Sequence, residues 1–137
     1  MRNHTIVKII FVVLAFSLAA GISDSPAQYD GSNSTVITMT RTRRFEPDAV
    51  TINPGDTVEW RNDSGLDHNV TTDPFGITSQ DDVSSPPGAA TFNSGAIIPG
   101  SRYMYTFVIP GTYRYVCVFH ESEGMSGRVT VRQTPIR

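Results

Sequence analysis

The sequence predicts an all-β domain, a sandwich or a barrel, on three observations. Short stretches alternate apolar and polar residues, turn-forming Gly, Pro, Asn and Asp separate them at fairly regular spacing, and no long stretch carries a convincing helical period. No internal repeat or heptad is visible.

Taken in order, residues 36–40 (Val-Ile-Thr-Met-Thr) alternate with β-branched residues and read as a first strand. Arg41, Arg43 and Arg44 follow, read as a solvated strand edge rather than a patch for an acidic partner. Phe45-Glu46-Pro47 breaks the strand, and residues 48–53 resume it. Pro54-Gly55-Asp56 is a turn, because Pro pre-sets φ and Gly accepts a positive one. Residues 57–62 alternate clearly, with Val58 and Trp60 on the core face and Trp60 read as packing rather than a redox relay. After a turn at residues 62–65, residues 67–71 begin a short extended piece. Residues 73–90 lose periodicity and predict an exposed excursion rather than a helix. Order returns at residues 91–95, and residues 101–109 alternate again, with Tyr103, Tyr105, Phe107 and Ile109 on one face. Pro110-Gly111 turns the chain; Tyr113, Tyr115 and Cys117 share a side of the next strand; residues 127–132 close the domain.

The 137 residues divide into a signal peptide (1–27), a flexible leader (28–34), the β domain (35–133) and a frayed end (134–137). Arg2 and Lys8 form the basic start, residues 9–20 the apolar run, and Ser25-Pro26-Ala27 the small residues a signal peptidase reads. The run is short for a membrane span, so an uncleaved anchor is the lesser alternative. Cleavage after Ala27 would take the bases from 11 to 9 and the acids from 13 to 12, a net charge of −3. That mild acidity argues against nucleic acid and anionic membranes as partners. The expected address is secreted or periplasmic.

One cysteine cannot form an internal disulfide, and an oxidising compartment threatens a free thiol. Burial or metal ligation would protect it. Cys117, His120 and Met125 lie in a C-x-x-H-x-x-x-x-M spacing between two strands, and without His4 of the signal only His68 and His120 remain as histidines. Singly, Cys117 is an ordinary buried small hydrophobe, Met125 an ordinary core filler and His68 an ordinary turn histidine. Together they assign every His and Cys of the mature domain to one site. Two imidazoles, one thiolate and a weak axial thioether suit a copper electron-transfer centre.

The same residues carry a family resemblance over residues 36–132. The motifs are Phe45-x-Pro47, Gly55-Asp56-Thr57-Val58-x-Trp60-x-Asn62, His68-Asn69-Val70 and Phe92-x-Ser94-Gly95. They continue through Phe107-x-x-Pro110-Gly111-Thr112-Tyr113-x-Tyr115-x-Cys117 to Gly124-Met125-x-Gly127-x-Val129-x-Val131. In these the chain resembles the cupredoxins of the plastocyanin type, small blue copper electron carriers. The resemblance implies a two-sheet Greek-key sandwich with one type 1 copper ion under the loops at one end. It implies His68, Cys117 and His120 as trigonal ligands, Met125 as the long axial one, and the Asn69 amide as donor to the Cys117 sulfur. It also implies protein redox partners, docking on an apolar patch around His120 with Leu66, Phe119 and Gly124 as candidate lining. The expected carrier is a monomer without a small-molecule substrate, meeting membranes only through its partners or an uncleaved anchor.

Two positions depart from the pattern. Phe119 stands where plastocyanin-like members commonly have Pro, and it restores a backbone N–H able to donate to the thiolate, which is expected to raise the reduction potential. Val116 stands where photosynthetic plastocyanins usually have Tyr, so the route through that ring is missing. Glu121 and Glu123 read as solvated charge, or as steering for a basic partner. Other functions fit less well. A copper carrier or store without electron transfer would suit Met-rich tracts, and there are none. An enzyme with further histidine-bound coppers has no histidine to use, and no G-x-S-x-G elbow suggests a hydrolase. A fold that had lost its metal would not be expected to retain all four ligand types.

Overall fold

The computed structural model describes residues 34–133. The predicted signal peptide, residues 28–33 of the leader and residues 134–137 lie outside them. Among the described residues there are seven strands, β1 (Ser34–Met39), β2 (Phe45–Glu46), β3 (Ala49–Ile52), β4 (Thr57–Asn62), β5 (Arg102–Thr106), β6 (Gly111–Val116) and β7 (Ser126–Val131). The only helical elements among them are two 3-10 turns, Gln80–Asp82 and Val118–Glu123. No helix among the described residues is long and apolar enough to cross a membrane.

The strands form two mixed sheets, β2-β1-β4-β5 and β3-β7-β6. β1 runs parallel to β4, and β3 parallel to β7, while the remaining pairs are antiparallel. The break at residues 45–48 is therefore more than an interruption. β2 pairs with β1 in one sheet, and β3 joins the other sheet beside β7. The alternation of β4 works as expected: Val58 and Trp60 are fully buried. Between the sheets Trp60 meets Tyr115 edge-on at a centroid distance of 5.4 Å and lies 5.9 Å from Tyr103, with Phe92 and Phe107 completing the cluster. Such rings contribute beyond the apolar area they remove from water.

The opposite face of β4 is not all solvent. Glu59 is buried, with Arg61 Nε at 2.7 Å and Arg102 Nη1 at 3.7 Å from its Oε1. The Arg61 hydrogen bond outweighs burial and, with Arg102, holds this carboxyl below the ordinary carboxylate range. A depressed carboxyl pKa contributes stability above the unfolded value of about 4.3 and loses it as pH falls through the folded one. Thermal unfolding followed against pH should therefore show an acid-side fall in Tm that is shallower in Glu59→Gln. Equal slopes would show that the ion pair does not report on folding.

Three sequence expectations change in detail. Residues 67–71 form no strand; they are held by isolated bridges, His68 to Ile97 and Thr71 to both Asn93 and Val116. Residues 91–95 likewise make bridges without a strand. Arg43 and Arg44 do not edge a strand: they lie in a turn that closes from Thr40 to Arg44, with Arg43 at φ 58. The excursion at 73–90 is irregular as expected, yet it is fastened, with Ser84 bridging Arg114 and Val83 buried.

Candidate metal centre

Two pieces of chain converge at one pole of the sandwich. Thr71 exchanges backbone hydrogen bonds with Val116, N–H to carbonyl at 3.1 Å in each direction. That pairing lays residues 68–71 along the end of β6, directly before Cys117. His68 is fixed on its other side by Ile97, whose N–H donates to the His68 carbonyl at 2.7 Å. The second piece folds on itself. The Cys117 N–H donates to the Met125 carbonyl (3.0 Å), Met125 N–H to the His120 carbonyl (3.2 Å), and His120 N–H to the Cys117 carbonyl (3.1 Å). The three residues are thereby locked in a closed ring of backbone bonds. Gly124 makes the turn possible at φ 78, a conformation without penalty for glycine.

The donor atoms of His68, Cys117 and His120 all lie within 4.8 Å of one another. Sγ of Cys117 is 3.8 Å from Nδ1 of His68 and 3.5 Å from Nδ1 of His120, so both rings turn the same nitrogen to the sulfur. Metal bonds to nitrogen and sulfur of ~2.0–2.3 Å put neighbouring ligands of one ion about 3–4 Å apart. The spacing fits a single ion, and the donor set of thiolate and imidazoles is the one copper takes. Met125 is fully buried in the same cluster as Cys117. His68 and Cys117 are inaccessible, whereas His120 is half-buried.

Burial pushes the Cys117 thiol above its ordinary pKa, and the backbone amides of Asn69, Phe119 and His120 work against that shift by facing the sulfur. The Asn69 N–H lies 3.4 Å from Sγ, as the resemblance implied. Its side-chain carbonyl accepts from the Val118 N–H at 2.7 Å, so Asn69 ties the two converging pieces together. Burial chiefly, with the positive fields of His120 and Arg43, keeps the His68 imidazole below its usual pKa despite Asp67. A neutral imidazole is the form that binds metal.

Around this core, Phe119 and Gly124, each next to a ligand in the chain, are exposed, and Leu66, two residues before His68, is partly so. The neighbouring carboxylates are engaged within the chain. Glu123 takes the Arg43 guanidinium at 2.7 Å, and its carbonyl accepts from Arg44 at 2.7 Å. Glu121 accepts from the amides of Thr78 (2.8 Å) and Ser79 (3.0 Å). Burial alone would raise the Glu121 carboxyl, but these amides hold it low. The acids stay at the surface, as the solvated reading has it, but each is paired within the chain, and the strand edge assigned to Arg43 and Arg44 gives way to a turn that meets Glu123. Sequence reasoning placed Ser64 only in a turn, and Asn62 in a strand end and a family motif without a role at the site. A hydroxyl four residues before a ligand histidine was the available signal.

The family model of copper binding proteins, plastocyanin/azurin family, matches residues 33–132. A chloroplastic plastocyanin of Oryza sativa subsp. indica is 33% identical over 119 residues, covering 87% of this chain and 71% of its own. The plastocyanin of Scenedesmus fuscus is 38% identical over 90 residues, 64% of this chain and 86% of its own. Among solved structures, the reduced state of an amicyanin point mutant matches with a TM-score of 0.55 at 28% identity, covering 73% of this chain and 83% of that one.

Proposed function

Because the chain belongs to the plastocyanin/azurin family of copper-binding proteins, we propose that it is an exported blue copper carrier passing single electrons between protein redox partners. The observation that carries this is the convergence of one thiol and two Nδ1 atoms within 4.8 Å on a backbone already closed by its own hydrogen bonds. Copper bound there supplies a one-electron Cu(II)/Cu(I) couple. His68, Cys117 and His120 would hold it, with the Met125 thioether as a weaker fourth donor. The ring through Cys117, His120 and Met125 and the Thr71–Val116 pairing resist displacement of the ligands, which keeps reorganisation small when the charge of the site changes. His120 is the half-exposed ligand, so contact at its edge brings a partner nearest the site. Leu66, Phe119 and Gly124 would line that contact, and a small apolar interface suits a brief redox encounter.

The export assignment rests on Arg2, Lys8, the apolar run and Ala27, and the non-enzymatic assignment on two histidines, His68 and His120, both committed to one site. The test is to load the purified mature protein with Cu(II), record its visible absorption and run cyclic voltammetry. An intense thiolate-to-copper band with a reversible one-electron wave supports the reading. Binding without either would identify a copper carrier that transfers no electrons.

Phe119 gives a second prediction. Its N–H is one of the backbone amides that hold the Cys117 thiol pKa down, and Phe119→Pro removes that donor while leaving the ligand set intact. With more charge left on sulfur the oxidised site is favoured, so the reduction potential should fall. A hydrogen bond to an ionised group is worth ~1.5–3 kcal/mol in all. Only its difference between oxidation states enters, giving a drop on the order of tens of millivolts at 59 mV per tenfold. An unchanged or higher potential by voltammetry would remove the Phe119 amide from the account.

A further inference from the structure

The nitrogen of His68 that faces away from Cys117 is not left to solvent. Nε2 lies 2.8 Å from the hydroxyl of Ser64, and both residues are buried. The proton positions in this contact follow from the groups around it. Asn62 Nδ2 donates to the carbonyls of Leu66 (2.8 Å) and Ile97 (2.7 Å), so its Oδ1 must be the atom turned toward Ser64. That Oδ1 accepts from the Ser64 N–H at 3.1 Å and lies 2.7 Å from the Ser64 Oγ. A flipped amide would set two donors face to face at Ser64 and an oxygen against two carbonyls. The single hydroxyl proton of Ser64 therefore points to an oxygen acceptor, Asn62 Oδ1, with the Leu66 carbonyl at 3.1 Å as its only other oxygen partner. The two lone pairs of Oγ are left to accept, one from the Leu66 N–H at 3.1 Å and one from His68. An imidazole that donates from Nε2 has its free lone pair on Nδ1.

We propose that Ser64, itself oriented by Asn62, is a positioning residue for the metal centre: its hydroxyl accepts from His68 Nε2–H and fixes the ring and tautomer that aim the Nδ1 lone pair at the site. The inference rests on the reading of His68 as a ligand, and it gives the ring nitrogen turned away from the site a partner outside the coordination sphere, the arrangement that orients ligand histidines generally. No charged group is needed for it, and Ser64 touches no metal.

The test begins on the metal-free protein at a pH where both imidazoles are neutral. Long-range proton–nitrogen NMR on uniformly labelled wild type should show His68 protonated at Nε2; a predominant Nδ1–H form overturns the proposal whatever happens with copper. In Ser64→Ala the Nδ1–H form should appear, Cu(II) affinity should fall ~10–100-fold, and the visible band of the loaded protein should shift. Ser64→Thr, which keeps the hydroxyl, should restore the Nε2–H form and the affinity. Ser64→Ala with wild-type tautomer, affinity and spectrum overturns the assignment. A general loosening of the turn would weaken affinity and lower Tm while leaving the tautomer unmoved, and that outcome also overturns it. If wild type itself gave no intense visible band, the ligand reading would fall while the tautomer result still stood on its own.

Discussion

Cys117→Ser is expected to erase the intense visible absorption of the oxidised, copper-loaded protein and to leave the fold in place. The band requires a sulfur-to-copper transfer of charge, and the chain has one cysteine, so no other residue can take over. Copper affinity should fall by more than the ~10–100-fold that follows loss of an outer-shell partner, because a direct soft donor is gone. The substituted hydroxyl is smaller than the thiol, and the Asn69 amide, 3.4 Å from the sulfur in the native chain, remains to bond it. The near-wild-type unfolding curve of the metal-free variant is the control. Persistence of the band in the serine variant would mean that the sulfur is not bound, and the site would have to be rebuilt around the imidazoles alone.

The second large effect is structural. Trp60→Ala should cost about 3–5 kcal/mol, the range for truncating a large buried aromatic. Its ring lies between the two sheets with Tyr103, Phe92, Phe107 and Tyr115 around it, all at centroid distances of 5.4 to 6.3 Å. Those partners come from strands and loops of both sheets, so the void cannot be closed by moving one of them. Against a total stability of ~5–15 kcal/mol for a domain, this is a substantial fraction. Urea unfolding should show a lower midpoint with an unchanged slope, the sign of lost stability rather than altered compactness. A loss below about 1 kcal/mol would mean that the site collapses far more readily than its packing implies.

What could be read from the sequence was whatever has a short period or a scarce residue type. The alternation in β4 and β6 is a two-residue rhythm imposed by a pleated strand with one face inward, and Val58, Trp60, Tyr113 and Tyr115 sit where it puts them. Scarcity did the same for the site, since one cysteine and, beyond His4, two histidines leave few ways to be wrong about which residues meet. Residues 67–71 were harder, because a bridge here and there leaves no periodic trace. Harder still were Arg43 and Arg44 against Glu123, and Glu121 against Thr78 and Ser79, pairs that join residues about 80 and 43 apart. Charges are interchangeable in a linear text, and nothing local says which acid a given arginine will find. The burial of Glu59 was missed for a related reason: alternation puts this carboxylate on the outer face, and nothing local says that Arg61 and Arg102 will cover it there. Ser64 was hidden because a hydroxyl in a turn ordinarily serves the turn.

The parallel pairing of β3 with β7 has a consequence for the life of the chain. Among the described residues β3 lies at the edge of its sheet and has β7 as its only strand partner, with Ala49 opposite Arg128 and Ile52 opposite Val131. A polypeptide emerging from the ribosome therefore holds β3 unpaired until nearly the whole domain has been translated, and pairings this distant in sequence form slowly. The pole that gathers His68 and Cys117 cannot exist in a nascent chain. Closure of the metal-binding pole is thus a late step, held back until the last strand is available.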